Sequence, residues 1–220
     1  MRIFFITITG LMFALLAHSQ DATFIQNLSA AAAQVRNSET SQDFEAAVRS
    51  FAALSEQAPE GAWLPDYYLA YVHIRLAAAA MDEGNTAGIA RALDQAQEAL
   101  DRAKRVAPGE SEIVALQGYI YTGRIWESPM MNGMRYGSSC AELYEQAIAL
   151  DPQNPRAHHL MGMHLYFTPR FFGGGAKKAL PFLEKAAALY ATQQPGLPEP
   201  SWGQAFNDQL LSQAQKELER

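Results

Sequence analysis

Residues 141–162, AELYEQAIALDPQNPRAHHLMG, contain the end of one predicted helix, a turn and the start of the next helix. Cys140, directly before this stretch, is followed by Tyr144 four positions later and by Ala147 three positions after that. Offsets of four and three place these side chains on one face of a helix. After an Asp-Pro turn, Asn154 provides an N-cap and is followed by proline at the first helical position. The stretch therefore predicts two consecutive helices joined by a short turn.

The same spacing of small, large and small side chains recurs along the chain, each time before a turn. The triplets are Ala47/Phe51/Leu54, Ala96/Leu100/Ala103, Cys140/Tyr144/Ala147 and Ala179/Leu183/Ala186. Gly118 and Gly162 lie at corresponding places in the segments that precede two of these helices. Because glycine costs about 1 kcal/mol relative to alanine inside a helix, its recurrence predicts close backbone packing rather than chance.

The composition indicates an all-α protein. The chain has 220 residues, with 38 Ala and only 5 Val, and alanine favours helices whereas β-branched residues favour strands. Hydrophobic residues make up 49% and charged residues 18%, which is the balance of a folded chain and not of a disordered one. The net charge of −6, without a basic block, argues against nucleic-acid binding.

The first residues have the pattern of a secretory signal peptide. Arg2 precedes an uncharged apolar run, Ile3 to Leu16, and small residues follow near Ser19. The run of 14 residues is shorter than the roughly 20 that a membrane-spanning helix needs. We therefore expect cleavage after Ser19, removal of residues 1–19, and a periplasmic or secreted mature domain of residues 20–220 that is not embedded in a membrane.

Helix pairs with this pattern, closed by a proline turn, resemble tetratricopeptide repeats, and residues 141–162 are similar to the family consensus. The resemblance covers about residues 41–191 and implies a right-handed α-solenoid of antiparallel helix pairs. The repeat-closing turns lie at Pro59, Pro108, Pro152 and Ala191. They are 49, 44 and 39 residues apart, against a family unit of about 34. We therefore expect insertions between the two helices of each pair, at Met81–Thr86, Gly123–Ser139 and Thr168–Gly175.

The two ends of the solenoid should be closed by further helices, which brings the expected total to about nine. Residues 22–37 and 41–57 form the predicted opening pair. Residues 201–220 form the predicted capping helix, which begins with a Ser-Trp-Gly-Gln capping box. An apolar stripe at four-residue spacing should cover the last repeat. Its members are Trp202, Phe206, Leu210, Ala214 and Leu218.

A predicted partner-binding surface follows from the resemblance, because the first helix of each pair lines the concave face in tetratricopeptide solenoids. Aromatic side chains are large, rigid anchors that suit contact with a peptide or small ligand. The alternative is that these side chains form ordinary core between helices. The candidates are Tyr67, Tyr71, Arg75, Tyr119, His159, Met163 and Tyr166.

The insertions supply a second set of candidates, because methionines, aromatics and arginines in loops form adaptable contact surfaces. They are Arg124, Trp126, Arg135, Tyr136 and Arg170. Gly173–Gly175 could form an anion-binding nest at a helix start, or a tight loop held by the two preceding phenylalanines. This segment also resembles a loop in the extracytoplasmic subunits of tripartite ATP-independent periplasmic transporters.

The sequence contains no catalytic constellation and no metal-ligand spacing such as HExxH or CxxC, so we expect neither an enzyme nor a bound cofactor or metal. Cys140, the single cysteine, is expected to be a buried residue at a helix start. Two functions remain open. The first is an exported scaffold that binds a protein or peptide on its concave face. The second is a solute-binding accessory subunit of a transport system, with a small anionic solute near Arg124, Trp126 and Arg170.

Overall fold

The computed structural model describes residues 21–36, 38, 40–193 and 196–219. Within these residues the chain forms nine α-helices and one short 3-10 helix, and no strand. The elements are α1 (residues 21–36), α2 (Ser41–Glu56), α3 (Leu64–Asp82), α4 (Thr86–Val106), α5 (Ser111–Glu127), α6 (Pro129–Leu150), α7 (Pro155–Phe167), the 3-10 helix Arg170–Phe172, α8 (Ala176–Thr192) and α9 (Gln204–Leu218). The all-α prediction is confirmed, whereas the predicted signal peptide, residues 1–19, lies outside the described residues.

Successive helices pack as antiparallel neighbours, which is the arrangement expected of an α-solenoid. Each helix from α2 to α9 contacts the next one, and the alternate helices α3, α5, α7 and α9 also touch in that order. The latter therefore lie side by side and line one face of the molecule, which we call the concave face. None of the helices in the described ranges has the combination of length and apolar character that a bilayer-spanning helix requires.

The recurring triplets form the contacts within and between helix pairs. All twelve of their side chains are buried. Glycines in the preceding helix of two pairs lie directly against the large side chain of the triplet. A Cβ added at Gly118 in α5 would lie 2.5 Å from Cε1 of Tyr144 in α6, and one at Gly162 in α7 would lie 2.7 Å from Cδ2 of Leu183 in α8. The predicted close packing is therefore present in both pairs.

Replacing Gly118 with alanine should destabilise the protein by about 1–3 kcal/mol, because the added methyl group overlaps the buried Tyr144 ring. Gly137 is the matched control. It also lies inside a helix, but an added Cβ meets nothing within 4 Å there, so Gly137→Ala should stabilise by up to about 1 kcal/mol. Urea denaturation followed by far-ultraviolet circular dichroism measures both changes. Equal effects of the same sign would contradict this account of the packing.

The prediction that the insertions form loops is wrong for Gly123–Ser139. Helix α5 continues to Glu127 and α6 begins at Pro129, so the extra residues lengthen both helices. A proline at the first helical position and the tight contact of Gly123 with Leu93 allow this extension. Consequently Arg124, Trp126, Arg135 and Tyr136 lie on helices and not in a loop. Cys140 is likewise in the interior of α6, and burial raises the pKa of its thiol to about 11.

The other two insertions differ from each other. Half of Met81–Thr86 belongs to α3 and α4, which leaves a short turn at residues 83–85. Thr168–Gly175 is a connection between helices, as predicted, and contains the 3-10 helix. The tight asparagine N-cap of α7 is also confirmed, because the Asn154 side chain accepts hydrogen bonds from the backbone amides of Arg156 and Ala157.

The predicted capping box of the last helix is wrong. Helix α9 begins at Gln204 after Gly203, whose φ of 101° is left-handed, and no side chain caps it. Ser201 instead accepts hydrogen bonds from Arg36 at the end of α1. Of the predicted apolar stripe, Leu210 and Ala214 are buried against the last repeat, whereas Phe206 and Leu218 are about 40% exposed. The remaining member, Trp202, lies before the helix and packs on α3 instead.

Candidate functional site

The segment 196–203, which we call the strap, crosses the concave face before α9 begins. The Tyr68 hydroxyl of α3 donates to the carbonyl oxygens of Pro198 and Glu199 at 3.0 and 3.1 Å. On α8, the Tyr190 hydroxyl donates to the carbonyl oxygen of Trp202 at 3.1 Å. The chain therefore places a proline-rich segment of its own against the surface where the sequence predicts a partner.

Trp202 anchors the strap between two tyrosines of the concave face. Its ring stacks on Tyr71 of α3, with centroids 4.4 Å apart, and lies near-parallel to Tyr119 of α5 at 6.2 Å. The indole Nε1 donates to the Tyr67 hydroxyl at 2.9 Å. Trp202 is only 7% exposed, and Tyr71 and Tyr119 are also buried, so the stacked rings are shielded from water.

A buried polar network continues from the tryptophan. Tyr67 donates in turn to Oε2 of Glu112 at 2.7 Å, and Glu112 forms an ion pair with Arg156 at 2.6 Å. Burial raises the pKa of Tyr67 above its ordinary value, so the phenol remains a neutral donor. The adjacent carboxylate raises the pKa of Arg156 against the effect of burial. The network thereby joins the strap to α3, α5 and α7.

His159 of α7 lies on the concave face beneath α9 and contacts two residues of that helix. Its Nδ1 lies 3.3 Å from Oδ1 of Asn207, and its ring contacts Phe206 edge to face at 5.8 Å. Burial lowers the pKa of His159 to about 4, and burial also lowers the pKa of His73, in α3, to about 4. Both imidazoles are therefore neutral in the folded protein at pH 7.

We expect the protein to lose stability on mild acidification. The unfolded chain binds protons on His73 and His159 near their ordinary pKa of about 6.5, whereas the folded chain does so only near 4. Stability is therefore complete above pH 6.5 and should fall by about 1–2 kcal/mol per histidine by pH 5. Urea denaturation at several pH values measures the slope, and His159→Gln should make it shallower. Unchanged stability between pH 7 and pH 5 would contradict the prediction.

The structure brings most of the predicted concave-face residues together, but the strap and α9 cover them. Tyr67, Tyr71, Tyr119, His159 and Met163 are all buried. Arg75 and Tyr166, in the second halves of α3 and α7, remain partly exposed, as does Trp126 in α5. These three define what we call the open part of the concave face. Sequence reasoning missed the strap, although three prolines and a glycine before Trp202 mark it as a stiff segment.

Two of the three predicted arginines of the insertions already have carboxylate partners. Arg124 pairs with Asp94 and Glu127, and Arg170 pairs with Glu217 of α9. Arg135 lies over the ring of Tyr136 at 5.1 Å. The binding of a small anionic solute near Arg124, Trp126 and Arg170 therefore stays a prediction. The guanidinium groups of both arginines are already paired with carboxylates of this chain.

The glycine-rich loop does not offer a free anion-binding nest. The amides of Gly173, Gly174 and Gly175 donate to the carbonyl oxygens of Arg170, Pro169 and Leu165. Gly173 and Gly175 have φ values of 87° and 98°, which favour glycine. The segment is thus a tight loop, but its phenylalanines do not hold it to the core as expected, because Phe171 and Phe172 are 91% and 70% exposed.

Exposed apolar side chains are concentrated where the helix pairs turn. Helix α6 starts with three exposed methionines, and the last residue of α7 and the connection to α8 together carry three exposed phenylalanines. We call this set the hairpin-edge cluster, and it consists of Met130, Met131, Met134, Phe167, Phe171 and Phe172. An apolar concentration of this kind is typical of a binding surface.

An open cleft of about 370 Å³ lies at the opposite ends of α5 and α7. Its lining includes Glu110, Glu112, Asp151 and Glu199 against the single cation of Arg156. Burial raises the pKa of Glu110, in keeping with this carboxylate-rich surrounding. The excess of negative charge makes the cleft unsuitable for a small anionic solute.

A solved structure that resembles this chain covers most of its length. It is the HusA haemophore from Porphyromonas gingivalis, with a TM-score of 0.76 and 29% sequence identity, covering 88% of this chain and 94% of that chain. No family model matches the chain, and no curated protein matches its sequence. The comparison shows the same helical architecture in a protein described as a haemophore.

Proposed function

We propose that this chain is an exported binding protein for haem or a closely related porphyrin. The observation that carries the proposal is the likeness to the HusA haemophore, at 29% identity over 88% of the chain. Export rests on the predicted signal peptide, residues 1–19, with residues 20–220 as one mature tetratricopeptide-like domain. No catalytic step forms part of the proposal.

The open part of the concave face and the hairpin-edge cluster have the chemistry that a porphyrin requires. A porphyrin has flat apolar faces, which aromatic and methionine side chains can cover. Trp126 packs edge to face on the buried Tyr119 at 6.1 Å, and Tyr166 packs edge to face on Phe167 at 5.2 Å. Trp126 is thus packed against the core, and both rings are partly exposed, so each retains apolar surface for contact with a flat ligand.

Haemin added to the purified mature protein should produce a saturable change in its Soret absorption band. Trp126→Ala and Tyr166→Ala should each weaken binding by about tenfold, since each removes an aromatic contact. Val106→Ala removes an exposed apolar side chain from the far end of α4 and should change nothing. A wild-type protein that gives no saturable Soret change would refute the proposed function.

Iron should contribute little to this binding. Of the histidines in the described residues, His73, His158 and His159 are buried, and His164 lies against Tyr144 at 6.1 Å between α6 and α7. None of these imidazoles lies on the open part of the concave face, so histidine ligation of haem iron is not expected. We attribute the affinity to contacts with the porphyrin faces and not to a bond from Tyr166 or a methionine to the iron. Iron-free protoporphyrin should therefore displace haemin with an affinity within about tenfold of it. Failure of protoporphyrin to compete would contradict this expectation.

Peptide binding is a second candidate, because the concave face already holds a segment of its own chain. Tyr68 and Tyr190 recognise backbone carbonyls of the strap, which is sequence-independent recognition, while Trp202 fills a specific site. A synthetic peptide of residues 196–203 should bind a Trp202→Ala variant more tightly than it binds the wild type. Fluorescence anisotropy of the labelled peptide measures this difference, and equal affinities would remove the support for peptide binding.

A further inference from the structure

Within the described residues, Arg75 differs from the other buried or half-buried arginines in having no acidic partner. Four arginines of the described residues are buried or half-buried, namely Arg75, Arg102, Arg124 and Arg156. The last three each form an ion pair, with Asp66, with Asp94 and Glu127, and with Glu112 respectively. No carboxylate within the described part of the chain lies within ion-pair distance of Arg75.

The surroundings of Arg75 hold its guanidinium in place without neutralising it. The group lies over the Phe44 ring at 4.7 Å, and its Nη1 donates to the Tyr71 hydroxyl at 3.2 Å. A guanidinium has five N–H donors and stays charged at any physiological pH. Tyr71 uses one of these donors, which leaves others for a ligand.

Arg75 lies next to the aromatic residues of the concave face. The Tyr71 ring that receives the hydrogen bond is the ring on which Trp202 stacks. Arg75 follows Tyr71 by one helical turn and is partly exposed. An aromatic body resting on the open part of the concave face would therefore lie beside a fixed, partly desolvated positive charge.

We propose that Arg75 is an anion subsite, at which the guanidinium binds a carboxylate carried by an aromatic or apolar ligand. A partly buried charge without a counterion is costly, and a charge-assisted, two-point hydrogen bond to a carboxylate removes that cost. The subsite rests on the proposed function in one respect only: if the ligand is a porphyrin, its propionate groups are the carboxylates that Arg75 binds. The subsite itself depends on Arg75 and its neighbours.

A pair of fluorescent probes tests the subsite without any porphyrin. Anilinonaphthalene sulfonate and phenylnaphthylamine share an aromatic body, but only the first carries an anionic group. Arg75→Gln should weaken sulfonate binding by about tenfold and leave the neutral probe unchanged, while Arg75→Lys should recover part of the loss. Arg105→Gln removes the same charge from an exposed position in α4 and should alter neither probe. Thermal melting confirms that each variant is folded.

The outcomes separate the subsite from the proposed function. Sulfonate binding that is unchanged in Arg75→Gln, equal losses for both probes, or no binding of either probe to the wild type would each overturn the subsite. A parallel comparison of haemin with its dimethyl ester should show that the wild type prefers the free acid and that Arg75→Gln does not. If the probes depend on Arg75 but haemin does not bind, the subsite stands and the proposed function fails. If haemin and its ester bind equally well to the wild type, the function stands and the subsite fails.

Discussion

Replacing Trp202 with alanine should lower the free energy of unfolding by about 3–5 kcal/mol. The substitution removes an indole that is 7% exposed and stacked on Tyr71 and Tyr119. It also deprives the Tyr67 hydroxyl of the donor at 2.9 Å. Because the ring is the main apolar contact of the strap, we expect the loss of stability to be accompanied by exposure of the concave face.

Denaturation in guanidinium chloride, followed by far-ultraviolet circular dichroism, measures the loss. Trp202→Phe is the matched control, since it keeps an aromatic ring in the stack but removes the indole N–H. It should cost about 1–3 kcal/mol less than the alanine variant. If Trp202→Ala retained the stability of the wild type to within about 0.5 kcal/mol, the strap could not be a bound part of the folded protein.

Replacing Arg156 with alanine should destabilise the protein by about 3–5 kcal/mol, because Glu112 would be left as an unpaired charge. The side chains of Arg156 and Glu112 are only 3% and 9% exposed. The carboxylate would also keep Tyr67 as its donor, which limits how far it can reorient.

Arg170→Ala provides the control for this prediction. Its ion pair with Glu217 is 2.9 Å long but exposed, with side chains 72% and 43% accessible, and exposed pairs contribute at most about 1 kcal/mol. Urea denaturation of both variants at pH 7 gives the comparison. Equal losses for the buried and the exposed pair would show that burial of the network does not determine its contribution.

The architecture could be predicted from the sequence because it depends on local spacing. Offsets of four and three residues determine which side chains share a helical face, and the Ala96, Leu100 and Ala103 triplet is buried as expected. The N-cap at Asn154 was equally predictable, since the cap depends on a few adjacent residues. Because the same spacing recurs along the chain, it predicts each of the helix pairs.

The candidate site could be predicted only in part, because it depends on contacts between distant residues. The periodicity identified Tyr71 and Tyr119 on one face but could not reveal that Trp202 covers them. Four-residue spacing assigned Trp202 to a helical stripe, whereas the left-handed Gly203 separates it from the helix. The Glu112–Arg156 pair joins residues 44 positions apart, and no local pattern signals such a pair.

The strap also changes how the molecule should unfold. An ordinary solenoid is stabilised by neighbouring repeats alone, so its end repeats can fray independently of the middle. Here Ser201 is bonded to Arg36, 165 residues away, and Trp202 to Tyr67, 135 residues away. Because these hydrogen bonds connect the first and last parts of the array, we expect its ends to unfold together with the strap and not independently of it.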